Sequence, residues 1–246
     1  MTTRWLEARV IENRHWTDAL FSLRVQVPGE SPHLGFEAGQ FVRIAVEERV
    51  ARPFSFVNPP GDPVLEFYGI VVPQGPLSPR LATLRPGERL LVAPNPAGFL
   101  VLSEVPDADT LWLVSTGTGL APFLSILRTE TPWRRFRNLV LVHAVRHARE
   151  LVYQEMIRKI VKEHSLRYVT FVSRETAQGS LSGRVPAAMG DGRLEAAAGL
   201  ALDERSHVML CGNPQMLKDA SSALAERGLR KHRRRTPGHI TVESFW

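Results

Sequence analysis

Thr110-Leu-Trp-Leu-Val-Ser-Thr-Gly-Thr-Gly-Leu-Ala-Pro122 decides how the second half of this chain folds. Thr110–Ser115 is a compact apolar run, the pattern of a buried strand. Gly117 and Gly119 follow, and Pro122 suits the opening of a helix. Strand, glycine turn and helix start, in that order, suit a pyrophosphate. The glycines let the backbone turn tightly and approach it, and the free N–H groups of the helix end attract an anion. The strict dinucleotide fingerprint wants a third glycine where Pro122 stands. Taken alone, the stretch therefore also reads as an ordinary strand-to-helix turn.

The same rhythm continues downstream. Asn138–Ala144, Leu166–Val172 and His207–Leu210 read as strands, and Leu151–Lys162 and Pro214–Arg227 as helices. Alternating strands and helices imply a parallel sheet with right-handed crossovers. Ligands of such sheets collect beyond the carboxyl ends of the strands. There the second strand leads into Val145-Arg146, the third into Ser173-Arg174, and Arg184 follows Gly183. An NAD site usually carries an acidic residue for the ribose, whereas a guanidinium suits the extra phosphate of NADP(H). Three arginines in these places favour NADP(H), although each alone also reads as solvated surface. The fourth strand ends in Cys211-Gly212-Asn213-Pro214-Gln215. Cys211 reads as a small core residue, Gly212 as a point where a flat ring approaches the backbone, and Pro214 as the start of the last helix.

Upstream, residues 1–103 hold short strand-like runs: Ala19–Val27, Gln40–Val46, Phe54–Val57, Val64–Val72 and Arg89–Val92. Pro28-Gly29, Pro59-Pro60-Gly61, Pro73 and Pro86-Gly87 punctuate them, as in a closed antiparallel barrel. A short helix is predicted over Ser78–Leu84, with Ser78 as its cap and Pro79 at its first position. Glu104–Asp109 reads as the linker, giving domains 1–103 and 104–246. Arg52-Pro53-Phe54-Ser55 sets a cation, a ring and a hydroxyl within four residues. Alternation puts Arg52 and Phe54 on one face, fit to hold a diphosphate and stack a ring. A plain edge-strand segment is the other reading.

Composition narrows the classes further. Of 246 residues, 43% are apolar and 23% charged, which excludes wholesale disorder. Apolar runs such as Leu111–Val114 fall far short of the ~20 residues that span a bilayer. The start carries charges where a signal peptide needs an apolar core. Cys211 is the single cysteine, so a disulfide scaffold is excluded, and so is an iron–sulfur domain within the chain. The expectation is a cytoplasmic, monomeric globular protein without membrane attachment. The net charge of +6 fits a polyanionic cofactor or an acidic partner. Trp133-Arg134-Arg135-Phe136-Arg137 and Lys231-His232-Arg233-Arg234-Arg235 are the densest basic runs. They read as solvated faces or as a docking surface for an acidic protein; no nucleic-acid motif accompanies them.

Together these motifs resemble the ferredoxin (flavodoxin)–NADP reductases of the bacterial type. The resemblance runs through Arg52-Pro-Phe-Ser55, Glu66-Phe67-Tyr68, Leu77-Ser78-Pro79-Arg80-Leu81, Thr116-Gly-Thr-Gly119, Val172-Ser173-Arg174-Glu175-Thr176, Cys211-Gly-Asn-Pro-Gln215 and His239-Ile-Thr-Val-Glu-Ser-Phe-Trp246. It implies an FAD-binding antiparallel barrel followed by an NADP-binding α/β domain. It also implies hydride transfer from NADPH to FAD, with single electrons passed on to ferredoxin or flavodoxin.

Carried over by motif, Arg52 with Pro53 holds the FAD diphosphate, Phe54 lies against the flavin, and Ser55 sits near its N5 edge. The family more often has tyrosine where Phe54 stands. Tyr68, Gly69, Ile70 and Val71 line the flavin and ribityl chain, and Pro76, Leu77 and Ser78 cover the diphosphate. Thr118 approaches the flavin from the second domain. Val145, Arg146, Ser173, Arg174, Arg184, Asn213, Pro214 and Gln215 hold NADP. Phe245 and Trp246 fold back across the FAD. Ser55, Cys211 and Glu243 are the candidate catalytic residues, Glu243 reading either as a proton relay or as a surface ion pair. Two further functions stay open: an NAD(P)H-dependent flavin or quinone reductase, including an oxygenase's reductase component, and a flavin-binding redox sensor.

Overall fold

The computed structural model describes residues 5–28 and 34–244. Six strands form the first sheet: β1 (Leu6–His15), β2 (Leu20–Gln26), β3 (Phe41–Ala45), β4 (Ala51–Ser55), β5 (Leu65–Ile70) and β6 (Arg89–Val92). Their order is β4-β3-β6-β1-β2-β5, every pairing antiparallel. A bridge between Phe56 and Phe67 ties the chain beyond β4 to β5 and closes the ring. Leu23, Val25, Val42, Ile44, Phe56 and Phe67 fill it. β1 escaped the sequence reading because charge hides its alternation: Ala8 and Val10 are buried while Glu7 and Arg9, which alternate with them, are exposed.

A short helix, α1 (Ser78–Thr83), lies across the barrel. Ser78 is its first residue rather than its cap, and the capping position falls to Leu77. The Ser78 hydroxyl instead accepts the Val72 N–H at 2.8 Å. At the other end, Asn13 Nδ2 donates to the carbonyls of Leu81, Ala82 and Leu84. Carbonyls at a helix end run out of intrahelical donors; the Leu81 carbonyl also accepts the Leu84 N–H at 3.2 Å.

The second sheet holds β7 (Thr110–Thr116), β8 (Asn138–Val145), β9 (Leu166–Val172), β10 (Leu181–Ser182), β11 (Ser206–Gly212) and β12 (Ile240–Ser244). All pairings are parallel, in the order β10-β9-β8-β7-β11-β12. Around it lie α2 (Ala121–Leu127), α3 (Thr131–Arg135), α4 (Gln154–Glu163), α5 (Val185–Gly190), α6 (Arg193–Ala198) and α7 (Pro214–Glu226). The helix expected from Leu151 begins at Gln154. Tyr153 before it takes the left-handed conformation, φ 59°, and breaks the run. Among the described residues no helix is long and apolar enough to cross a membrane.

The two sheets share one core. Leu20, Val57, Tyr68 and Leu100 pack in the same apolar cluster as Leu111, Leu120, Phe123 and Tyr153. Polar contacts reinforce the seam. Ser125 Oγ donates to the Asn58 carbonyl at 2.7 Å, and Tyr153 donates to Glu66 Oε1 at 2.8 Å. Arg135, in the first basic run, donates to the carbonyls of Leu102, Val105 and Pro106. Part of that run is therefore a clasp on the segment between the sheets rather than free surface.

Candidate active site

Two adjoining clefts open where the sheets meet. The first, about 300 Å³, lies against β4, β5 and the start of α1. Arg52, Pro53, Phe54 and Ser55 form one wall, Tyr68, Gly69 and Ile70 another. Pro76, Leu77 and Ser78 close one end, and Thr118 reaches in from the second sheet. Val71 is not in the wall; its N–H is held by the Ala19 carbonyl at 2.7 Å. Val72, Gly75 and Ala121 are there instead. They carry no polar signal that a motif search could use.

This wall suits a flat, hydrogen-bonding ligand. The Ser55 hydroxyl and the Tyr68 hydroxyl are buried without any partner among the described residues. Such groups are costly unless something bonds them. The Phe54 ring lies across Gly69, where a Cβ would come within 2.9 Å of it. Glycine there lets the ring settle against the strand.

The second cleft, about 630 Å³, runs along the carboxyl edge of the parallel sheet. Val145, Arg146, Ser173, Arg174 and Arg184 line it, with Asn213 and Gln215 opposite. Arg146, Arg174 and Arg184 are all exposed, and among the described residues none of them has a carboxylate within 4.0 Å. Three exposed, unpaired cations at one edge are suited to phosphate. Asn213 is partly committed: its Oδ1 caps α7 by accepting the N–H groups of Gln215 and Met216. Pro214 starts α7 outside the wall. Ile70 and Thr118 border both clefts, so ligands in the two would meet there.

The glycines of this edge serve the protein's own packing. A Cβ on Gly119 would collide with the Cys211 carbonyl, and one on Gly212 (φ 134°) with Thr116 Oγ1. Gly212 is thus required by Thr116, and it also lines the larger cleft. Thr116 Oγ1 in turn accepts the Asn213 N–H at 2.9 Å.

Cys211 and Glu243 stand beside each other on β11 and β12 but line neither cleft. Burial, with the Glu243 charge second, pushes the Cys211 thiol well above its usual range and keeps it protonated. Burial raises the Glu243 carboxyl from 4.5 to about 7, opposed by a hydrogen bond to the Phe99 backbone. The unfolded chain ionises this group near 4.5, so stability falls as pH rises from there to about 7. Glu243→Gln removes the effect. Its stability relative to wild type should climb across that window by about 3 kcal/mol; a pH-independent difference in denaturant unfolding would contradict the raised value. Phe245 and Trp246 lie outside the described residues.

A closed antiparallel barrel beside a parallel sheet, with clefts meeting at the seam, defines the ferredoxin reductase-like class. Residues 113–222 match the model of the oxidoreductase NAD-binding domain. The flavodoxin/ferredoxin–NADP reductase of Escherichia coli K12 is 51% identical over 249 residues, covering 98% of this chain and 99% of that protein. The ferredoxin–NADP reductase of Pseudomonas aeruginosa is 36% identical over 252 residues, covering 96% and 95%. A crystal structure of a ferredoxin NADP+ reductase from Neisseria gonorrhoeae, with bound FAD and NADP, superposes with a TM-score of 0.92 at 31% identity over the whole of both chains. The chain belongs to the flavodoxin/ferredoxin–NADP reductase family.

Proposed function

We propose that this protein is an FAD-containing reductase that takes a hydride from NADPH and delivers single electrons to a ferredoxin or flavodoxin. The observation that carries the reading is the junction of two chemically distinct clefts at Ile70 and Thr118. One has orphaned hydroxyls suited to an isoalloxazine edge; the other has unpaired guanidiniums suited to a phosphorylated nucleotide.

Arg52 and the Leu77–Ser78 segment hold the diphosphate of FAD, Phe54 supports the ring, and Ser55 donates its free hydroxyl to the ring edge. Arg146, Arg174 and Arg184 anchor the phosphates of NADPH, so that its nicotinamide reaches the seam. When bound, FAD supplies the conversion of one hydride into two single-electron steps. The protein's part is alignment of the two rings to ~3–3.5 Å. Cationic surface left free by internal pairing steers an acidic carrier toward the exposed cleft lip at Ile70 and Val72. We place the work in the cytoplasm, with the barrel as 1–103, the nucleotide domain as 104–246, and the monomer as the working unit.

The test is a visible spectrum followed by anaerobic NADPH or NADH. Yellow protein bleached fast by NADPH and slowly by NADH is expected; yellow protein bleached by neither would overturn the reductase reading. Arg52→Ala should weaken FAD retention by ~10–100-fold, the worth of one charge-assisted phosphate contact. Unchanged retention on gel filtration would remove Arg52 from the diphosphate.

A further inference from the structure

We propose that Tyr153 and Glu66 form a redox-active tyrosine–carboxylate pair, connected through Tyr68 to the barrel cleft. The pair gives up one electron and one proton when oxidised flavin in that cleft is excited by light. The inference rests on the proposed seating of FAD there.

Three oxidisable rings run outward from the cleft without a break. Tyr68 lines the cleft and meets Tyr153 edge-on, with ring centroids 5.4 Å apart. Tyr153 meets Trp16 at 4.8 Å. Beyond Trp16 stands the exposed Arg14, its guanidinium 3.8 Å above the indole. The hydride chemistry uses neither Tyr153 nor Trp16.

The polar partners decide where an electron vacancy rests. A phenol is oxidised readily only when its proton leaves with the electron. Among the described residues no carboxylate or other protein group takes the proton of the buried Tyr68 hydroxyl, so its ring conducts but does not retain the vacancy. Tyr153 is equipped to retain it: its hydroxyl donates to Glu66 Oε1 at 2.8 Å. Burial raises the affinity of Glu66 for a proton, against the Tyr153 hydrogen bond and then the pull of Arg128, whose guanidinium is 3.9 Å from Oε2 and also faces Asp62 at 3.7 Å. Arg24 and Glu12 act on Glu66 from farther out, with opposite signs. Trp16 is a poor resting place. The Arg14 cation opposes a positive indole, and the indole N–H faces only the Ser22 hydroxyl at 3.2 Å.

The step balances. One electron passes from Tyr153 by way of the Tyr68 ring to the excited flavin. The Tyr153 O–H bond breaks and a new O–H bond forms on Glu66. The products are a neutral tyrosyl radical, a neutral carboxyl and a flavin one electron richer; the return in the dark reverses both transfers.

The test is anaerobic flash photolysis of the yellow, flavin-loaded protein, read by transient absorption and electron spin resonance. A neutral tyrosyl radical is expected, formed more slowly in deuterium oxide and lost in Tyr153→Phe. Glu66→Gln keeps an oxygen for the phenol but not a proton acceptor, and should slow its formation. Arg14→Gln should move part of the signal to an indolyl radical at Trp16. Yellow wild-type protein without a tyrosyl signal, or a signal that survives Tyr153→Phe, overturns the proposal. Should the variants fail to fold, equal formation rates in the two waters overturn it on wild type alone. Protein that takes up no flavin contradicts the seating of FAD instead, before any flash is fired.

Discussion

Replacing Arg174 and Arg184 together by alanine is expected to lower kcat/KM for NADPH by at least ~100-fold, while NADH changes only a few-fold. Each guanidinium lines the larger cleft and, among the described residues, has no carboxylate partner to compete for it. A charge-assisted hydrogen bond is worth ~1.5–3 kcal/mol. Two of them lost give at least ~3 kcal/mol, beyond two powers of ten in rate. NADH lacks the 2′-phosphate, so it loses only what the arginines give the shared diphosphate. The loss should fall on KM, because these contacts are made equally in the ground state and the transition state. Equal losses for both nucleotides would show that the pair reads the diphosphate and not the third phosphate.

Gly212→Ala is expected to cost more than any surface change, and to damage the larger cleft along with stability. The residue has φ 134°, which side chains other than glycine rarely adopt, and its Cβ would fall on Thr116 Oγ1. Thr116 has nowhere to retreat, since its hydroxyl accepts from Asn213 and its strand is paired on both sides. Backbone strain of this kind costs ~1–3 kcal/mol, and an added clash in a packed site a further ~1–3 kcal/mol. A melting temperature lowered by several degrees and weakened NADPH binding should appear together. Pairing it with Thr116→Ala, which opens the space, should recover part of the stability. No recovery would assign the cost to the backbone angle alone.

Much of this was legible beforehand because the relevant signals are local. Strand, glycine turn and helix follow one another within Thr110–Leu127, and periodicity located the paired strands β2, β3, β5 to β9 and β11. Placing a ligand beyond the strand ends brought Arg146, Arg174 and Arg184 to one cleft, as the structure has them. What was missed depends on distant partners. β12 is a strand because β11 offers an edge to it. Tyr153 turns left-handed and delays the start of a predicted helix to Gln154, a conformation no neighbour in sequence announces. Ser78 looks like a cap, yet the Val72 N–H reaches its hydroxyl first. Arg128 lies in no motif, and its contacts with Val57, Asp62 and Glu66 exist only once the sheets have met.

The apolar cluster that takes in Leu20, Val57 and Tyr68 from the barrel half and Leu120, Phe123 and Tyr153 from the α/β half has an evolutionary consequence. A barrel from one relative grafted onto the nucleotide domain of another would meet a mould cast for a different partner. Exchange of halves between lineages is therefore penalised at the seam, even where each half keeps every residue that touches a ligand. Substitutions along this seam should be inherited in matched sets, as they are between the subunits of an obligate complex.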